Sequence, residues 1–152
     1  MTTIHGAALS DCEGIYPLIC QLASGGLDGS GGDYRPTYKD YERTYRSILN
    51  DASKKYFVAK IDERIVGVAG LSLNQSLCEA SYFANIEELA VDEAARRQGV
   101  GQQLLNACMA YSKAQGCTSL ALTTGNNRHA AQGLYEKNGF KKTGIKYVLE
   151  AD

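Results

Sequence analysis

Histidine is scarce in this chain. His5 and His129 are the only two in 152 residues, too few for a dedicated zinc site, so no metal is expected. The five cysteines (Cys12, Cys20, Cys78, Cys108, Cys117) are odd in number and form no C-x-x-C pair. That excludes a disulfide framework and a thiol redox motif. Cys108 and Cys20 read as small core residues, and with so few histidines to activate it, a nucleophilic cysteine is not expected. An excess of one charge sign is also missing. Sixteen Lys and Arg against seventeen Asp and Glu leave a formal charge of -1, which excludes nucleic acid as an obligate partner. The clusters Arg96-Arg97 and Lys141-Lys142 are too small to reverse that. No apolar run approaches the length of a membrane span. The start, Met1 to His5, lacks a charged-then-apolar leader. A soluble, cytoplasmic protein without membrane contact is expected.

What is present is a chain of one-domain size. Thr2 to Ala8 reads as a strand. Ser10 to Glu13 forms a capping-box pattern before Ile15, Leu18, Ile19 and Leu22 at helical spacing, which puts Pro17 in the first turns. Ser24 to Asp33 is a Gly/Ser/Asp loop. A second helix is expected over Thr37–Asn50, with Tyr38, Tyr41 and Tyr45 along one side. Tyr56–Ile61 and Ile65–Leu73 are apolar runs joined by Asp62-Glu63-Arg64, hence a hairpin. Gln75 to Ser81 reads as a polar connection and Phe83 to Val91 as a strand. A helix over Gln102–Gln115, a strand Ser119–Thr123, a helix Arg128–Lys137 and a strand region Phe140–Leu149 follow. This order implies an α/β fold with one mixed sheet and helices on both faces.

The segment Arg96-Arg97-Gln98-Gly99-Val100-Gly101 stands between a strand and a helix. Two glycines one residue apart let backbone N–H groups approach a ligand, and the helix start adds unpaired donors and a positive dipole end. The pattern suits a pyrophosphate, although a lone G-x-G is weak evidence. A dinucleotide fold needs a third glycine where Leu104 stands, and a P-loop needs Gly-Lys-Ser/Thr where Gly101-Gln102-Gln103 stands. Both readings fail.

What remains, R-x-x-G-x-G after Leu89-x-Val91, resembles the acyl-CoA pyrophosphate signature of the GNAT N-acetyltransferases. Asn127, Ala131, Leu134-Tyr135 and Gly139-Phe140 resemble the late segment of the same family, in the same order. Ile15 to Leu22 and Arg128-His129 also resemble aminoalkylphosphonate N-acetyltransferases, but Leu73-Asn74-Gln75-Ser76 stands where that group has a His-rich segment. The resemblance implies a single three-layer GNAT domain over residues 1–152. It implies acetyl-CoA as cosubstrate and a primary amine of a small molecule as acceptor, acetylated by direct attack in a ternary complex. A peptide or protein N-acetyltransferase and a non-catalytic acyl-CoA sensor are the alternatives. A homodimer is compatible with either.

By the same resemblance, Gln98, Gly99, Val100, Gly101 and Gln102 grip the pyrophosphate, flanked by Arg96 and Arg97. Leu89, Ala90 and Val91 meet the pantetheine arm through their backbone, which leaves their side chains free to pack. Many members place a general base where Asn85 stands here, and an amide cannot take a proton. Glu87 and Glu88 are the substitutes. Adjacent strand residues point to opposite faces, so one of them faces the cleft unless a bulge intervenes; both could equally be ordinary exposed acids. Tyr135 is the candidate general acid, a phenol able to protonate a departing thiolate, or else a packed core tyrosine. Asn127 caps the last helix and, in the family, such a residue often reaches the pantetheine. Tyr34, Arg35, Tyr38 and Asn85 are candidates for the acceptor site, with plain packing the default for the tyrosine stripe.

Overall fold

The computed structural model describes residues 1–24, 35–125 and 128–151. A five-stranded sheet in the order β1-β2-β3-β4-β5 forms its centre. The strands are β1 (Thr2–Gly6), β2 (Lys54–Ile61), β3 (Arg64–Ser76), β4 (Ser81–Val91) and β5 (Leu120–Leu122). The first four pair antiparallel; β5 joins β4 in parallel over Ala84↔Leu120, Asn85↔Ala121 and Ile86↔Leu122. The mixed sheet is therefore as expected, and so is the hairpin that joins β2 to β3. The polar connection expected over Gln75–Ser81 narrows to a turn at residues 77–80, with β3 and β4 running out to it.

Among the described residues, four α-helices cover the sheet: α1 (Cys12–Ala23), α2 (Tyr38–Leu49), α3 (Val100–Ala114) and α4 (His129–Lys137). The alternation along β2 decides the layers. Tyr56 and Val58 pack with Cys12, Ile15, Leu18, Tyr41 and Tyr45 of α1 and α2. Phe57 and Ala59 point the other way, toward Val100, Leu104, Leu105 and Cys108 of α3, where Leu134 and Tyr135 of α4 also pack. The result is three layers, with the sheet between α1/α2 and α3/α4.

Capping differs from the sequence reading. A single 3-10 turn, Leu9–Asp11, precedes α1, and no side chain caps the helix. Asp11 turns back instead: its buried carboxylate accepts from Ala8 N at 2.9 Å and pairs with Lys60 at 3.1 Å. Pro17 is the sixth of twelve helical residues, in the second turn, and deprives the Glu13 carbonyl of its usual partner. Thr37 does cap α2, accepting from Asp40 N at 3.2 Å. The tyrosine stripe is packing: Tyr41 and Tyr45 are buried, and their hydroxyls donate to the carbonyls of Cys12 (2.6 Å) and Ala8 (2.5 Å). The strand expected over Phe140–Leu149 is absent. Residues 141–151 are exposed and carry no regular structure.

Candidate active site

The site begins with an irregularity in β4. Gly70 pairs with Glu88 but Leu71 pairs with Ile86, so Glu87 is the extra residue of a β-bulge. A bulge shifts the side-chain phase by one. Ala84 and Ile86 face α3 before it, whereas after it Leu89 and Val91 face α3 and Ala90 faces α1. Glu87 and Glu88 consequently share the α1/α2 face. The expectation that one of them faces the cleft is corrected in the way it allowed for, by a bulge.

Each carboxylate has its own partners. Glu87 Oε1 accepts from Ser72 Oγ at 2.7 Å and from Asn85 Nδ2 at 3.2 Å. Asn85 serves here as a donor to an acid. Glu88 Oε2 accepts from the Tyr56 hydroxyl. Burial pushes the Glu88 carboxyl above its ordinary range, and the charge of Glu87 adds to this; the Tyr56 hydrogen bond and Lys54 pull the other way. Tyr56 is itself held protonated, by burial first and then by the Glu88 charge.

The outer edge of β4 opens directly after the bulge. Pairing with β5 stops at Ile86, so among the described residues no strand covers Glu87 to Val91 on that side. Leu89, Ala90 and Val91 lie on this uncovered stretch. Asp92 then ends the strand: its carboxylate accepts from Ala94 N at 3.2 Å and pairs with Arg64 at 2.5 Å.

Arg97 (φ 65) and Gly99 (φ 79) both adopt the left-handed region. This turns the chain sharply into α3, which starts at Val100, two residues earlier than the periodicity suggested. The N–H groups of the first turn thus belong to Val100 and Gly101 of the motif and to Gln102 directly after it. A Cβ at Gly99 would meet nothing within 4 Å, so the space beside this backbone is open. Arg96, Arg97, Gln98 and Gly99 are exposed around it. These features fit a diphosphate: free donors, a positive helix end and room to approach.

The second motif closes on the first. Gln102 and Asn138 exchange amide hydrogen bonds at 2.8 and 2.9 Å, and Asn138 also donates to Leu134 O at 2.7 Å. The end of α4 is thereby tied to the start of α3. Gly101 has no side chain, and a Cβ there would lie 3.5 Å from Leu134 and 3.7 Å from Val91. Tyr135 stands against Phe140, ring centroids 5.9 Å apart. Burial raises its phenol above the ordinary value, with Arg128 opposing, and its hydroxyl makes no hydrogen bond to a described residue.

Of the acceptor-site candidates, Tyr34 lies outside the described residues, as does Asn127. Arg35 is exposed. Tyr38 sits edge-on to Tyr16 at 5.1 Å, with its hydroxyl 3.9 Å from Cys12 Sγ, inside the α1–α2 packing. A cavity of about 460 Å³ lies beside Tyr56 at the far end of α2, and none of the motif residues lines it. The motifs missed Tyr56, Ser72 and the Gln102–Asn138 link, each of which depends on pairing across elements. One signal was present: Gly70 interrupts the apolar run Ile65–Leu73, and a glycine inside a strand marks a bulge or a close approach.

A family model described as "Acetyltransferase (GNAT) family" matches residues 25–140. An aminoalkylphosphonate N-acetyltransferase of Salmonella typhimurium is 26% identical over 145 residues, covering 95% of this chain and 88% of that protein. N-acetyltransferase 8B of Homo sapiens is 30% identical over 102 residues, 67% of this chain but 45% of that protein. Among solved structures, a transcriptional regulator from Bacillus halodurans C-125 superposes with a TM-score of 0.82 at 30% identity, covering 98% of this chain and 100% of that one.

Proposed function

The chain belongs to the acetyltransferase (GNAT) family, and from that premise we propose that it transfers acetyl from acetyl-CoA directly to a primary amine of a small molecule. One observation carries this reading. A single stretch of chain sets the two acids, the uncovered edge of β4 and the left-handed turn into α3 side by side. Acetyl-CoA would supply an activated thioester. The N–H groups of Gln98 to Gln102 would hold its diphosphate, with Arg96 and Arg97 adding charge, and the backbone of Leu89, Ala90 and Val91 would orient its amide-bearing arm. Glu88 and Glu87 would deprotonate the amine. Tyr135, kept protonated by burial, would give a proton to the departing thiolate, and Asn127 would contact the arm.

The acceptor is a small amine on two grounds. A net charge of -1 gives no steering field toward a basic peptide or a nucleic-acid-bound target. Similarity to the Salmonella protein, whose name specifies an aminoalkylphosphonate, runs along 95% of this chain. We take residues 1–152 as one domain with Tyr34, Arg35, Tyr38 and Asn85 bordering the acceptor. Five cysteines without a disulfide suit a cytoplasmic setting.

Thiol release from acetyl-CoA against a panel of small amines and of lysine and N-terminal peptides tests the reading, with thermal shift alongside. Release with small amines is expected. Release confined to peptides would replace the acceptor class; a CoA-dependent shift without release would replace the enzyme by a sensor. No rise in apparent stability with millimolar acetyl-CoA would remove both.

A further inference from the structure

The two acids of β4 differ in how they are held, and the difference comes from β2. Tyr56, Gly70 and Glu88 stand side by side on β2, β3 and β4. Because Gly70 has no side chain, the Tyr56 ring lies over it; a Cβ there would come within 2.2 Å of the ring. The phenol thus spans a whole strand to reach Glu88. Tyr56 is buried among Val58, Val68 and Ala90, which leaves the ring little freedom to turn away. The bond engages Glu88 Oε2 and leaves Oε1 without a partner among the described residues. Glu87, by contrast, is fixed through Oε1 on Ser72 and Asn85.

We infer that Tyr56 is a positioning residue for amine deprotonation, holding Glu88 across the Gly70 gap as the group that takes the proton, while Glu87 remains beside it as a fixed charge. The inference rests on the acetyl-transfer reading above. In the step itself, an N–H bond of the acceptor ammonium breaks toward Glu88. A neutral amine with a free lone pair and a protonated carboxyl result, and the carboxyl later returns its proton to solvent. A carboxyl moved upward by burial is better matched to this task near neutral pH than an ordinary one. The charged groups around it are Glu87 on its own strand and Lys54 on β2. From α1 and α2, Cys12, Tyr41 and Tyr45 pack in the same cluster, and burial keeps both of these tyrosines neutral.

These surroundings give two substitutions opposite signs. Tyr56→Phe removes a donor that favours the charged carboxylate, so Glu88 should titrate at higher pH. Glu87→Gln removes a repelling charge, so Glu88 should titrate at lower pH. Side-chain carbon NMR of labelled glutamate reads this directly in the free protein, with the acidic limb of the kcat/KM profile measured in parallel. We expect the limb to follow the NMR titration in both variants and to vanish in Glu88→Gln. Tyr56→Phe should also lower kcat/KM on the order of 10-fold or more while remaining folded. A Glu88 titration unmoved in both variants overturns the inference whether or not the enzyme is active. A titration that moves while the rate profile stays put shows that Glu88 is not the proton acceptor, and leaves acetyl transfer standing. A wild-type protein that binds CoA and acetylates nothing removes the parent reading and this role together.

Discussion

Tyr135 shows how packing and chemistry combine at one residue. Its ring is wedged against Phe140, a contact that phenylalanine would keep, while its hydroxyl has no described partner to lose. Tyr135→Phe should therefore change stability by less than about 1 kcal/mol but depress kcat and kcat/KM together, by about 100-fold if the phenol is the general acid. Turnover at the wild-type level across pH would make Tyr135 a packing residue only. Tyr135 was legible in the sequence because Leu134-Tyr135 and Gly139-Phe140 are close neighbours in a local motif. Tyr56 was not. Its role depends on register with Gly70 and Glu88, which lie 14 and 32 positions further along the chain. Nor could local alternation place Glu87 and Glu88, since the bulge that puts both on one face appears only when β3 and β4 are paired.

At the scale of elements, the turn into α3 was the part most visible in advance. Its demands are local: a left-handed backbone at Gly99 and a helix start with free donors. Two separate costs follow from replacing that glycine. At φ 79 a side chain strains the backbone by about 1–2 kcal/mol, and more for a β-branched residue. Nothing lies within 4 Å of the new Cβ, so the protein itself does not resist it; a bound diphosphate would. Gly99→Val should accordingly lower the melting temperature modestly and abolish the stabilisation by acetyl-CoA. Retained stabilisation, with the expected strain, would move the diphosphate away from this turn. The helix and strand bounds were less legible, by about the amount that caps displace them. Asp11 takes its bonds from Ala8 and Lys60 rather than from α1, and the Lys60 pairing is a long-range choice that the Ser10–Glu13 pattern does not contain.

For the whole molecule, the sequence was right about the layers and wrong about how the sheet ends. Phe140 to Leu149 has the alternating apolar residues of a strand, but alternation states only that a segment can pair, not that a partner is in reach. Among the described residues, the last backbone hydrogen bond in this region is Phe140 N to Tyr135 O at 3.1 Å. Beyond it Ile145, Tyr147 and Leu149 are 82%, 90% and 98% exposed, while β5 leaves its outer edge without a strand among the described residues. A chain segment with neither backbone bonds nor burial opens at little free-energy cost, and a protease finds it first. Brief trypsin treatment should cut after Lys141, Lys142 or Lys146 well before any site in the sheet or in α3, leaving a core that ends near Phe140. That core should keep the cofactor-induced thermal shift, because the diphosphate turn and the β4 edge lie outside the segment. Protection of all three lysines would instead mean that the segment is paired. The unpaired edge of β5 is then the place to look for it, since an exposed edge beside an apolar strand-former is the arrangement that pairing relieves.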